Sequence, residues 1–299
     1  MSYDLFFRRK MTGKPVGEDL FKQYFSDRAH YRLENSQACY ENQGTGVYFS
    51  FEYTQTPDDE SDPDLEAVTF NINFFRPHVF GLEAEPEVSA FVRQFDLLVF
   101  DPQDNGMGEG EYSRKGFLDG WNAGNEFAYR AILRSQQPDY FTMPSKKLRY
   151  YWEWNLVSKE LQAKYLDLDV FVPTILLLSV DRRASTAIVW GDGVAIALPD
   201  VDYLIMPRRE LAPSKWMTTK EDEVFLPLEA AESTVAGYPS HDRPLRHRLL
   251  DYETPPPEIV RFFRQQQSFR GKLQGITLDT ILDEEICAAV KNNHAEGTA

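Results

Sequence analysis

The chain has 299 residues, 42% of them hydrophobic and 14% aromatic, enough apolar material for a core and incompatible with wholesale disorder. Its formal net charge is −15, from 47 acidic against 32 basic residues, a balance that disfavours nucleic acid and anionic membrane as partners. Two cysteines, Cys39 and Cys287, are too few for a disulfide scaffold or a thiolate metal site and point to a reducing, cytoplasmic setting.

Met1-Ser2-Tyr3-Asp4 shows no basic segment leading into an apolar run, so no secretory leader is expected. The most apolar stretch, Val170 to Val180, is too short to cross a bilayer and contains Pro173. Taken in order, Tyr3 to Arg9 reads as a strand and Glu18 to Asp27 as an amphipathic helix with Leu20, Phe21, Tyr24 and Phe25 on one face. Tyr31 to Glu41 reads as a second strand. Gly46 to Gln55 and Ala67 to Phe75 follow, with Val47, Phe49, Phe51 and Tyr53, then Val68, Phe70, Ile72 and Phe74, alternating as apolar faces. Glu85-Pro86-Glu87 predicts a helix start, because a first-turn proline loses no hydrogen bond and acids favour the dipole. Leu97 to Phe100 reads as a buried strand, Asp101 to Glu111 as a loop, and Ser113 to Ser135 as a helix weakened by Gly116, Gly120 and Gly124.

In the second half, Ser145 to Tyr165 has helical spacing. Phe171 to Val180, Thr186 to Trp190, Val194 to Leu198 and Tyr203 to Met206 read as an antiparallel meander, with Gly191-Asp192-Gly193 as a turn. Pro239 to Pro257 is proline-rich and reads as irregular. A helix is predicted through Phe263, and a last one over Leu278 to Val290. These elements predict an α+β protein of two mixed domains, residues 1–140 and 141–299, with mainly antiparallel sheets and flanking helices.

The charge is concentrated. Between Glu34 and Glu111 stand seventeen acids against Arg76 and Arg93, so this window alone carries the net −15. Such a field attracts basic partners and raises their association rate, although acidic surfaces also serve solubility alone. Asp58, Asp59, Glu60, Asp62, Asp64 and Glu66 crowd one hairpin tip, and Glu109 and Glu111 lie in the glycine-rich loop; these eight are the candidate partner-binding residues. The tip lacks the central glycine and final glutamate of a calcium loop. His30, His78, His241, His247 and His294 lack zinc-ligand spacing. The chain has no Gly-x-Ser-x-Gly, dinucleotide fingerprint or Walker sequence, so no catalytic residue, metal or cofactor is assigned. The one basic cluster is His241-Asp242-Arg243 with Arg246-His247-Arg248, suited to internal pairing or an anion. The aromatic run Tyr150-Tyr151-Trp152 with Trp154 reads first as core filling and second as an interface.

The opening Met1-Ser2-Tyr3-Asp4-Leu5-Phe6-Phe7 resembles the start of bacterial immunity proteins paired with polymorphic or type VI-delivered toxins. The resemblance covers one strand. It implies a cognate basic toxin as partner, neutralised by occlusion, and a monomer when unbound. The competing expectations are a hydrolytic enzyme with carboxylates such as Glu109 and Asp192 between the domains, and a scaffold protein using the aromatic second half.

Overall fold

The computed structural model describes residues 1–11, 13–54, 64–103, 105–135, 139–212 and 221–296, the last four by backbone alone. The chain has the expected α+β architecture with mainly antiparallel sheets. It divides into two compact units: Met1–Ser145 joined by the segment from Leu278 onward, and Lys146–Thr277. No helix among the described residues is long and apolar enough to cross a membrane.

In chain order, the first unit contains β1 (Ser2–Arg9), α1 (Glu18–Ser26), β2 (Tyr31–Glu34), β3 (Gln37–Asn42), β4 (Val47–Tyr53), β5 (Leu65–Asn73), α2 (Val79–Phe95), β6 (Leu97–Asp101), β7 (Gly108–Gly110), α3 (Arg114–Ser135) and β8 (Phe141–Met143). The first seven strands form one fully antiparallel sheet in the order β2-β3-β4-β5-β1-β6-β7. Strict alternation gives this sheet two unlike faces. Tyr3, Leu5 and Phe7 of β1, Phe49 and Phe51 of β4, and Val68, Phe70 and Ile72 of β5 are all buried. The helices cover that face: Phe91 of α2 lies 5.0 Å from Phe7 and 5.1 Å from Phe51, and Phe117 of α3 lies 5.4 Å from Tyr3. Phe25 of α1 is 5.0 Å from Phe51.

The region read as one strand from Tyr31 to Glu41 is a hairpin, because Asn35 adopts φ 53° and turns the chain. Pro86 does not open α2 but sits inside it, since the helix starts at Val79, where the His78 N–H donates to Asp283 Oδ2 at 2.8 Å. The expected loop 101–111 contains the edge strand β7. Gly120 and Gly124 of α3 allow close approach to the sheet: a Cβ on Gly124 would come within 2.3 Å of the Phe74 ring.

The second unit contains α4 (Ser145–Lys164, its first residue in the first unit), β9 (Leu176–Val180), β10 (Arg183–Val189), β11 (Ile196–Pro199), β12 (Tyr203–Arg208), β13 (Asp222–Pro227), α5 (Glu232–Val235), β14 (Ser240–His241), β15 (His247–Leu250), α6 (Pro257–Gln265) and β16 (Gln274–Gly275). The meander is corrected: β10 pairs in parallel with β12 inside a β13-β12-β10-β9-β16 sheet, while β11 leaves for a separate β11-β15-β14 sheet. The strand expected from Phe171 begins only at Leu176. Before it, side chains of α4 satisfy the backbone: Gln162 binds Val170 and Val172, Trp154 Nε1 donates to the Pro173 carbonyl, and Asn155 binds Ile175. Trp154 is fully buried and Tyr151 and Trp152 nearly so, making most of the aromatic run core.

The chain then returns to the first unit. Ile281–Asp283, read as the start of the last helix, is a strand, β17, paired in parallel with β8 and followed by α7 (Glu284–Glu296). The closing segment therefore departs from a single domain over 141–299.

Candidate interaction face

Among the described residues of the first unit, no helix packs on the other face of the seven-stranded sheet, whose side chains are half-buried or exposed. Its register runs one row of side chains across every strand: Glu34, Gln37, Glu52, Thr69, Phe6, Phe100 and Glu109. A second row holds Arg32, Cys39, Ser50, Asn71 and Asp4, and Glu41 faces Tyr48 beyond it. The acids of this face are Asp4, Glu34, Glu41, Glu52 and Glu109, and its arginines are Arg8 and Arg32. Arg32 pairs with Glu34 at 2.7 Å, and Arg8 with Glu109 at 3.2 Å while lying over the Phe100 ring. Asp4, Glu41 and Glu52 form no ion pair among the described residues. Asp4 accepts from Asn71 Nδ2 at 2.5 Å and Ser2 Oγ at 2.8 Å, so its position is set by neutral donors that leave its charge uncompensated.

Two cavities open beside these rows. One of about 360 Å³ lies over Cys39, Glu41, Tyr48, Ser50, Asn71 and Asn73. The other, about 470 Å³, lies between Ser2 and Asp4 and the outer stripe of α3 at Gly120, Ala123, Gly124 and Phe127. At the far corner, Arg76 donates to the Tyr48 hydroxyl from Nε at 3.1 Å and Nη2 at 2.8 Å, and Tyr48 donates to Asp279 at 3.1 Å.

The sequence-derived candidates divide on this frame. Asp58, Asp59, Glu60 and Asp62 lie outside the described residues. Asp64 is exposed just before β5. Glu109 is on the open face and Glu111 just past β7, both exposed, but each is paired, Glu111 with Lys10 at 3.1 Å. Glu66 is a correction. It is 5% exposed, accepts the Val16 N–H at 2.8 Å and approaches Arg9, so it staples β5 internally and offers nothing to a partner. The acidic window is corrected with it. Glu83, Glu85 and Asp101 are interior as well, and Arg8 and Arg9 of β1, with Lys10 just after it, reach Glu109, Glu66 and Glu111 respectively. Asp4, Glu41 and Glu52 are the residues missed; their polar positions in alternating strands were the available signal.

No described grouping has catalytic geometry. Asp192 Oδ1 accepts the N–H groups of Arg209, Glu210 and Leu211, each at 3.0 Å, which makes it a turn anchor rather than a general base. His78, Asp283 and Ser145 meet, with the imidazole Nδ1 donating to Asp283 at 2.6 Å. The Ser145 hydroxyl, however, lies 2.8 Å from Asp283 and 2.6 Å from Glu285, so it is held by the carboxylates and not by the imidazole that a serine triad requires. No group of three or more His, Cys, Asp or Glu among the described residues is placed to hold a metal ion. In the basic cluster, His247 is buried: its Nδ1 donates to the Leu245 carbonyl at 2.7 Å, so Nε2 accepts the Tyr165 hydroxyl at 2.8 Å. Arg248 donates to the carbonyls of Ala236 and Tyr238. No family model, curated protein or solved structure matches the chain.

Proposed function

We propose that this chain is an acidic protein-binding module of the immunity type, which binds and occludes a basic toxin domain through the open face of its first unit. One observation carries the reading. Asp4, Glu41 and Glu52 form no ion pair among the described residues and stand on a sheet face on which no described helix of the first unit packs, whereas most other described acids between Glu34 and Glu111 are interior, paired or set off that face. Uncompensated charge on an accessible face steers a cationic partner and sets its orientation. The resemblance of Met1 to Phe7 to immunity proteins agrees with this, since that segment is β1, near the middle of the face.

The experiment is stopped-flow association with a folded basic toxin domain, sought among the reading frames that neighbour this chain's own, where the absence of any such frame counts against the reading. Between about 0.02 and 0.5 M salt the screening length falls severalfold, and the on-rate should drop by at least about ten-fold. The D4N/E41Q/E52Q triple variant should associate slowly even at low salt and show a flattened salt dependence. An on-rate independent of salt, or a triple variant that behaves as wild type, contradicts the reading.

A further inference from the structure

The cavity beside α3 adds a recognition element that charge alone does not supply. The inner stripe of α3, with Phe117, Trp121, Asn125 and Tyr129, is core. A second stripe of the same helix, Gly120, Ala123, Gly124 and Phe127, lines the 470 Å³ cavity. Phe127 is 65% exposed, an unusual state for a phenylalanine whose neighbours on the helix face are this small. The opposite wall is Met1, Ser2 and Asp4, whose carboxylate forms no ion pair among the described residues, and the buried Phe74 also lines the cavity. Apolar wall, aromatic rim and a carboxylate bound only by neutral donors thus meet in one concavity large enough for an aromatic side chain.

We infer that this groove receives a partner segment in which a large apolar side chain stands beside a lysine or arginine, the apolar group packing on Phe127 and the cation on Asp4. The inference rests on the protein-binding reading above and names the partner's docking element. Charge complementarity selects that occupant. A second copy of this chain would bring the same acidic face to the groove, and an apolar segment without a cation would leave Asp4 desolvated and uncompensated. Burying one aromatic ring corresponds to about ten- to hundred-fold in affinity.

The test uses fluorescein-labelled peptides built around Arg-Ser-Phe-Ser-Arg, around Arg-Ser-Ser-Ser-Arg, and around Glu-Ser-Phe-Ser-Glu, titrated by anisotropy at low salt. The expected result is saturable binding of the first, at least about ten-fold tighter than the second, and none of the third. Phe127→Ser should erase the preference for the Phe peptide. Asp4→Asn should weaken both cationic peptides and keep the preference, and Leu20→Ser, on the exposed side of α1, should change nothing. Circular dichroism melts establish that each variant folds. If Phe127→Ser keeps the preference, or the two cationic peptides bind alike, the groove is overturned while the acidic reading stands. Absence of saturable binding by the Arg-Phe peptide also overturns the groove; the acidic reading is then decided by the association rates with the folded toxin domain. Wild-type self-association in sedimentation, lost in Phe127→Ser, identifies a second copy as occupant and overturns the proposal too.

Discussion

Replacing Asp283 by alanine should be among the most damaging single changes in the first unit. Its carboxylate is fully buried and accepts three short hydrogen bonds: the His78 N–H at 2.8 Å, His78 Nδ1 at 2.6 Å and the Ser145 hydroxyl at 2.8 Å. It therefore ties the N-termini of α2 and α4 to β17. Alanine leaves the half-buried His78 N–H and Nδ1 without their acceptor, whereas the Ser145 hydroxyl keeps Glu285; at about 1–3 kcal/mol for each donor left unpaired, roughly 2–4 kcal/mol in all is expected. Asp283→Asn keeps the shape and one acceptor oxygen and should cost about half as much.

The pH dependence has a definite sign. Burial pushes the Asp283 carboxyl up, but the hydrogen bond and charge of His78 and the bond from Ser145 outweigh it and hold the group below its ordinary value. A carboxyl lowered on folding contributes stability that is present above the unfolded value of about 4 and lost as pH falls through the lower folded value. The gap between wild type and Asp283→Asn should hold at neutral pH and close in stronger acid. Urea denaturation gives the free energies. Hydrogen exchange by mass spectrometry should show protection lost first around His78 and in the segment from Leu278 onward. An alanine variant within about 1 kcal/mol of wild type, or a gap unchanged down to pH about 2, refutes the reasoning.

In the second unit, Arg208 is fully buried; Nε and Nη2 grip Asp222 at 2.8 and 2.7 Å, and Nη1 donates to the carbonyls of Phe263 and Gln266. Arg208→Ala should cost about 3–5 kcal/mol in urea denaturation, and Arg208→Lys should recover less than half, because an ammonium cannot reproduce the planar fork. The basicity of His247 is lowered, first by burial, and only partly restored by its bond to Leu245. A histidine lowered on folding contributes stability above its unfolded value of about 6.5 that is lost as pH falls through that value, so His247→Gln should reduce the acid sensitivity of thermal melting between about pH 7 and 5. A melting temperature with the same pH slope in both proteins contradicts this.

Much of the fold is legible in the residues taken in order. Alternation in Val47–Tyr53 and Ala67–Phe75 identifies β4 and β5, because side-chain direction in a strand repeats every two residues and each position reports its own face. The same pattern holds the outward face of the sheet, with Glu52 among the outward positions of β4. Aromatic spacing places α4, and its first residue is the predicted Ser145. Where helix and strand signals are short, local sequence is ambiguous: Ile281–Asp283 becomes a strand only because β8 offers it a partner 140 residues away, and beyond the single bridge of Phe171 to Ile196 the segment 172–175 is held out of a strand by side chains of α4. What the tertiary structure alone decides is which acids are surface. Glu83 is interior because Tyr40, Asn42 and Thr45 converge on it, Asp101 because the Tyr3 hydroxyl reaches it at 2.6 Å, and Glu66 because the Val16 N–H and Arg9 meet it. A carboxylate leaves water only when donors replace its hydration, and these donors come from residues 38 to 98 positions away, where no window of the sequence contains both partners.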